Sequence, residues 1–200
     1  MTDINGKTTV ITGSARGMGR EMAYRFGDRG ARLALVDVDE ENLEETARRL
    51  RRAGAAVQTF QCDLSERDNI VELRDRIHEA FGPVQILVNN AGVVKGGPLE
   101  EVDPEGDELM LDVNVNAVHW MTKTFLGDLK ASPESHLVQM ASAAAFVGLP
   151  YQVIYCASKW FVVGFSEALR AELRKEGAEH VQMSIICPSL VDTGMFQGSD

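Results

Sequence analysis

Two hydrophobic rhythms alternate along this chain almost from its first residue. KTTVIT (7–12) is a short β-rich run, and MGREMAYRFGDRG after it spaces its apolar residues at helical intervals and ends on Gly30. ARLALVD (31–37) reads as a buried strand, followed by the charged helix DEENLEETARRLRRAG (39–54). AAVQTFQ (55–61) and VQILVNN (84–90) are further strands, with the helix RDNIVELRDRIHEAFG (67–82) between them. The spacing then predicts one long helix over 106–129, a strand SHLVQMAS (135–142), a helix from about Tyr151 to Glu176, and a sixth strand VQMSIIC (181–187). Strands rich in Val, Ile and Leu, each followed by an amphipathic helix, imply parallel βαβ crossovers with helices on both faces of the sheet. The expected fold is α/β: one doubly wound, Rossmann-type parallel sheet in a single domain over residues 1–200. No linker, repeat or low-complexity tract divides it.

Composition narrows the partners. The 44% hydrophobic and 25% charged fractions are those of a globular protein with a full core. The formal net charge of −10 argues against nucleic acid, which requires a basic face. Cys62, Cys156 and Cys187 are scattered without zinc or disulfide spacing. His78, His119, His136 and His180 have no ligand spacing either, so no metal is expected. Reduced cysteines, and an N-terminus MTDINGKTTV without a basic region and apolar run, lead to the expectation of a cytoplasmic chain with no membrane anchor. The most apolar stretch, residues 140–165, is interrupted by Pro150, Gln152 and Lys159 and is read as a buried segment.

Candidate chemistry begins where the first strand turns into the first helix. Gly13, Gly17 and Gly19 fit T-G-x-x-x-G-x-G, with Ser14, Arg16 and Met18 among them. Glycine permits the tight turn and lets backbone N–H groups approach a pyrophosphate at the positive end of a helix. The second strand ends at Asp37, twenty-four positions beyond Gly13, with Val38 after it. An acid there binds the ribose hydroxyls of NAD and repels the 2′-phosphate of NADP, so NAD is the expected cofactor. A helix N-cap before EENLEE is the plainer reading of Asp37, and Arg16 is the residue that would favour NADP.

The stretch YCASK places Tyr155 and Lys159 one helical turn apart in apolar surroundings. Bringing a phenol from pKa near 10 to neutrality takes about 4 kcal/mol. An ammonium at roughly 5 Å in an effective dielectric near 20 supplies about 3 kcal/mol. The pair is therefore expected to make Tyr155 a usable base, with Lys159 supplying most of the effect.

Further motifs follow in order: NNAG at 89–92, DVNVNA at 112–117, QMAS ending at Ser142, and YCASK thirteen residues beyond that serine. Together with TGSARGMG, this series resembles the short-chain dehydrogenase/reductase family from about residue 6 to 196. The resemblance implies that Asn114, Ser142, Tyr155 and Lys159 form a catalytic tetrad. It also implies that Asp63 and Leu64 meet the adenine, that Asn90, Ala91 and Gly92 lie beside the cofactor's ribose, and that Pro188, Ser189, Val191 and Thr193 hold the nicotinamide end. Tyr155 and Lys159 would touch the cofactor as well. CPSLVDTGMF is similar to the branch containing retinol and 17β-hydroxysteroid dehydrogenases.

Three departures stand out: Ser189 replaces the family's usual glycine, MASAAA has one serine where the family often has two, and the run ends at Asp200 ahead of the expected last strand and most of the substrate lid. The plain readings remain alongside: a core tyrosine, a snorkelling lysine, a serine cap and an asparagine satisfying backbone groups. The expected function is an NAD-dependent oxidoreductase interconverting a secondary or lipophilic alcohol and its carbonyl. The alternatives are a redox sensor without turnover and an NADPH-dependent carbonyl reductase. MTKTFL and KWFVVGFSEAL lie on helices that resemble the family's dimer helices, so a homodimer or homotetramer is expected. GVVKGGPLEEVDPEG and MFQGSD are expected to line the substrate pocket.

Overall fold

The computed structural model describes residues 2–189 and Val191. Six parallel strands form one sheet in the order β3-β2-β1-β4-β5-β6. They are β1 (Thr8–Thr12), β2 (Arg32–Asp37), β3 (Val57–Gln61), β4 (Ile86–Asn89), β5 (Ser135–Met140) and β6 (Val181–Ile186). The helices are α1 (Gly17–Gly27), α2 (Glu40–Arg52), α3 (Arg67–Phe81), α4 (Pro104–Leu111), α5 (Ala117–Ala131) and α6 (Val153–Lys175). This is the doubly wound α/β fold that the alternation predicts.

Period-two alternation along the strands separates two cores. Ile11, Leu33, Leu35, Ile86, Val88 and Val138 face one way and pack with Ala23 of α1 and Leu43, Ala47 and Leu50 of α2. Val10, Ala34, Val36, Leu87 and Leu137 face the other way. They meet Ile70, Leu73 and Ile77 of α3, Met121, Phe125 and Leu129 of α5, and Leu169 and Leu173 of α6. Each such aliphatic or aromatic side chain contributes about 1.5–3 kcal/mol on burial. Residues Leu33 and Phe125 have no exposure at all.

The predicted helix over 106–129 is a longer and interrupted one. It starts at Pro104, capped by the Asp103 carboxylate, and a five-residue π-turn, Asp112–Asn116, separates α4 from α5. Hydrophobic spacing does not announce one extra residue in a turn, so the sequence pattern passes over it. π-turns of this kind recur at functional sites.

Strand β1 pairs with both β2 and β4, so the winding reverses direction at β1. Because all six strands are parallel, the segments following each of them gather along one edge of the sheet. A crevice at that reversal point is where such sheets place ligands.

Candidate active site

The glycine turn is built so that side chains cannot enter it. Gly13 has φ +64° and Gly17 φ +55°, both in the left-handed region that L side chains avoid. A Cβ on Gly13 would fall 2.8 Å from Ala91 Cα, and one on Gly19 only 2.0 Å from the Gly13 carbonyl oxygen. The first turn of α1 holds no acidic residue and receives no side-chain cap from Arg16. Its N–H groups therefore keep their affinity for an anion.

Residues after β4 brace this turn. Asn90 Nδ2 donates to the carbonyls of Thr12 at 2.9 Å and Gly13 at 3.0 Å. The Thr12 hydroxyl accepts from the backbone N–H groups of Asn90 and Ala91 at 2.9 and 3.0 Å. Ser14 is fully buried and bonds the Val36 carbonyl through both its N–H and its hydroxyl.

At the end of β2, Asp37 accepts from Ala15 N at 2.9 Å and from Asp39 N at 3.1 Å. Asp39 is the cap of α2, accepting from Asn42 N at 3.2 Å, so the plain reading of Asp37 as that cap does not hold. Hydrogen bonds from Asn42 pull the Asp39 carboxyl below its ordinary value, with a smaller contribution from the charge of Arg16. Val38 beside Asp37 is 61% exposed. Asp63, after β3, turns its carboxylate onto Ser65 N and Oγ at 2.9 and 2.7 Å, while Leu64 is buried in the core. The glycine cradle, the open helix end and the held carboxylate fit a dinucleotide: pyrophosphate in the first two, ribose hydroxyls on the third.

The four proposed chemical residues converge from three elements. Asn114, fully buried in the π-turn, exchanges two hydrogen bonds with Val93: Val93 N donates to Oδ1 at 2.9 Å, and Nδ2 donates to Val93 O at 2.8 Å. Its second amide hydrogen goes to Ser158 Oγ at 3.2 Å, and that hydroxyl donates to Tyr155 O at 2.7 Å. The plain reading of Asn114, satisfaction of backbone groups, is therefore realised. Lys159 is 4% exposed, and its Nζ donates to the Met140 carbonyl at 3.2 Å. A Cβ on Gly92 would lie 3.2 Å from Asn114 Oδ1 and 3.5 Å from Lys159 Nζ, so the bare glycine backbone leaves the two side chains room to face it. Ser142 caps the short turn Ala143–Ala145 through Ala144 N and also hydrogen-bonds the Tyr155 phenol.

Electrostatics departs from the sequence expectation. Lys159 Nζ is 5.7 Å from the centre of the Tyr155 ring. Yet burial is the largest influence on Tyr155 and pushes its phenol above the ordinary tyrosine value, with the Ser142 hydrogen bond acting in the opposite direction. Burial also pushes Lys159 down to about 8. A low-dielectric setting penalises both ionised partners, which the estimate from charge separation alone omits.

After β6, Pro188 O accepts from Ala143 N at 2.8 Å, which ties this segment to the Ser142 turn. Ser189 and Val191 follow, both exposed, while Thr193 and the MFQGSD run lie outside the described residues. Sequence reasoning missed Thr12, Val93, Met140 and Ser158. Only Ser158 carried a signal, as the small polar residue inside YCASK. Among the described residues no helix is long and apolar enough to cross a membrane.

The family model described as short chain dehydrogenase matches residues 7–200. Estradiol 17-beta-dehydrogenase 11 of Rattus norvegicus is 38% identical over 194 residues, which is 97% of this chain and 65% of that protein. Epidermal retinol dehydrogenase 2 of Mus musculus is 37% identical over 98% of this chain and 64% of its own length. The chain thus spans just under two thirds of the length of these relatives. Among solved structures, a short chain dehydrogenase/reductase from Burkholderia phymatum in complex with NAD superposes with a TM-score of 0.94 at 39% identity, covering 98% of this chain and 69% of that one. A metagenomic short-chain oxidoreductase in complex with NADP gives 0.86 at 31% identity, over 94% and 85%. On this sequence match across nearly its whole length, the chain belongs to the short-chain dehydrogenase family.

Proposed function

We propose that this chain is an oxidoreductase interconverting a secondary or lipophilic alcohol and its carbonyl, with NAD as preferred cofactor, in one domain that holds both binding and catalytic groups. The observation that carries this reading is the meeting of Asn114 and Lys159 beside Gly92, with Ser142 on the phenol of Tyr155 one turn before Lys159, in a chain whose glycine cradle fits a dinucleotide. Relatives named for estradiol and retinol support a lipophilic substrate.

Tyr155 is the general base in its ionised form, which must be reached against the burial that raises its phenol, and as phenolate it removes the proton of the substrate hydroxyl. NAD, when bound, supplies the hydride acceptor. Ser142 holds the same substrate oxygen and stabilises the charge that develops there. Lys159 keeps a positive charge within reach of the phenol and offers its ammonium to the ribose. Asn114 joins the Val93 segment to Ser158 of α6, which holds the helix carrying Tyr155 and Lys159 against the strand-end segment that contains Gly92. In the reverse direction Tyr155 returns its proton to the carbonyl oxygen. The outer faces of α5 and α6, where Trp160 is 57% exposed, are the surfaces through which the chain pairs as a homodimer or homotetramer.

The test is reduction of NAD followed by absorbance against a panel of secondary alcohols, with Tyr155→Phe as the comparison. Turnover should be lost in the variant while NAD binding stays within about threefold of the parent, since loss of a general base costs about 10²–10⁴ in rate. A variant that retains substantial activity removes Tyr155 from the role of base. A parent that binds NAD and oxidises nothing would make it a nucleotide-binding sensor.

A further inference from the structure

Among the described residues Tyr151 is the one residue other than glycine with a left-handed backbone, at φ +62°. For a side chain with a Cβ this conformation costs about 1–2 kcal/mol, and it persists only where the surroundings over-determine it. They do so here. The Tyr151 carbonyl accepts from Gly97 N at 2.9 Å. The neighbouring Gly96 approaches so closely that a Cβ there would stand 2.4 Å from Gln152 Nε2 and 3.2 Å from Tyr151 O. The loop after β4 therefore latches onto the turn that enters α6.

The strained conformation gives the fold no aromatic burial in return, because Tyr151 is 62% exposed. Its position is specific: four residues ahead of Tyr155, in the turn that enters α6 on the segment that joins Ser142 to Tyr155. Phe146, Val147, Leu149 and Val153 on that segment are also exposed, as is Leu99 on the latched loop. An asparagine or glycine would take this backbone conformation more readily, so the ring is retained at a cost to stability.

Resting on the reading that Tyr155 and Ser142 receive the substrate hydroxyl, we propose that Tyr151 is the specificity-determining residue of this site: its ring lies against the apolar body of a bulky alcohol and selects it over small alcohols. The latch from Gly97 fixes the backbone that carries the ring before substrate arrives, so the backbone ordering cost is already met at binding.

The experiment compares the parent with Tyr151→Gly, Tyr151→Asn and Tyr151→Phe. Three quantities are read: melting temperature, kcat/KM for a bulky alicyclic secondary alcohol and for propan-2-ol, and binding of the same two alcohols to the NAD-loaded protein by calorimetry. Tyr151→Gly should melt about 2–4 °C higher, the shift that roughly 1 kcal/mol makes in a chain of this size. It should lose about tenfold or more in kcat/KM and affinity for the bulky alcohol, with propan-2-ol changed less than about twofold. Tyr151→Asn should lose the same selectivity, and Tyr151→Phe should keep it. A lower melting temperature in the glycine variant, or equal losses for both alcohols, overturns the proposal. Failure of the parent to bind the bulky alcohol overturns it as well. Ring-dependent binding without turnover sustains the proposal and removes the oxidoreductase reading alone.

Discussion

Lys159 Nζ stands 5.7 Å from the centre of the Tyr155 ring, and both residues are buried, at 4% and 5% exposure. Burial makes each charge costly by itself: the phenol is pushed up and the ammonium down. Burial is the largest cause of each shift, so each group titrates against its own enclosure.

One consequence is measurable without any substrate. Lys159 titrates at about 8 in the folded chain, against about 10.4 in an unfolded one. Between those values the unfolded chain binds more protons, so this group makes stability rise with pH across that window. Lys159→Met removes the contribution. In urea unfolding, the stability of the variant relative to the parent should fall by about 2 kcal/mol between pH 7.5 and 9.5. A difference that stays flat with pH would mean that burial leaves Lys159 near its ordinary value.

Asn114 gives a second prediction, which separates a clamp on Val93 from the other role the family resemblance implies, holding a water that relays the proton from Tyr155 to solvent. Its amide satisfies both backbone groups of Val93, and it has no exposure. Asn114→Leu has similar bulk but leaves Val93 N, Val93 O and Ser158 Oγ without this partner, at about 1–3 kcal/mol for a buried group left unpaired. A stability loss of roughly 2–4 kcal/mol should accompany the loss of turnover. Unchanged stability with lost turnover would assign Asn114 to proton relay alone.

The glycine turn and the acid closing β2 are legible because each is a short pattern whose meaning depends on local geometry, whereas Asn114, Ser142, Tyr155 and Lys159 are singled out as a set by the resemblance to the family. The strands and helices followed from period alone. What escaped depends on packing between distant segments. The π-turn needs Asn114 to find Val93, twenty-one positions away. The raised phenol of Tyr155 needs knowledge of how completely the site is enclosed. The left-handed Tyr151 runs against its own residue type and exists because Gly97 holds it. In each case local preference is overruled by a contact that spacing cannot reveal.

The proposed preference for NAD gives a third prediction, at Asp37. Its carboxylate is fixed by Ala15 N and Asp39 N and cannot easily swing away from a ribose bound at the end of β2. The 2′-phosphate of NADP would meet a negative charge held in place. Asp37→Ser should cut the preference for NAD over NADP at least tenfold, a change of about 1.4 kcal/mol, in dissociation constants measured by fluorescence quenching. Wild-type protein that binds NADP more tightly would show that Arg16 outweighs the carboxylate.

Gly19 tests the cradle itself. It needs no unusual backbone angle, since it sits within α1 and is absent from the left-handed set. Its restriction is purely one of space: a Cβ would fall 2.0 Å from Gly13 O and 2.6 Å from Asn90 Nδ2. Gly13 O is backbone, and Asn90 Nδ2 is the group that braces it at 3.0 Å, so neither yields without opening the turn. Gly19→Ala should therefore move the turn away from α1 and weaken NAD binding by tenfold or more, while adding helix propensity of roughly 1 kcal/mol that partly offsets the clash in stability. Calorimetric titration with NAD and urea unfolding on the same preparation separate the two effects. Loss of affinity in a chain that still folds places the pyrophosphate at this turn, whereas unchanged affinity would place it elsewhere on the sheet edge.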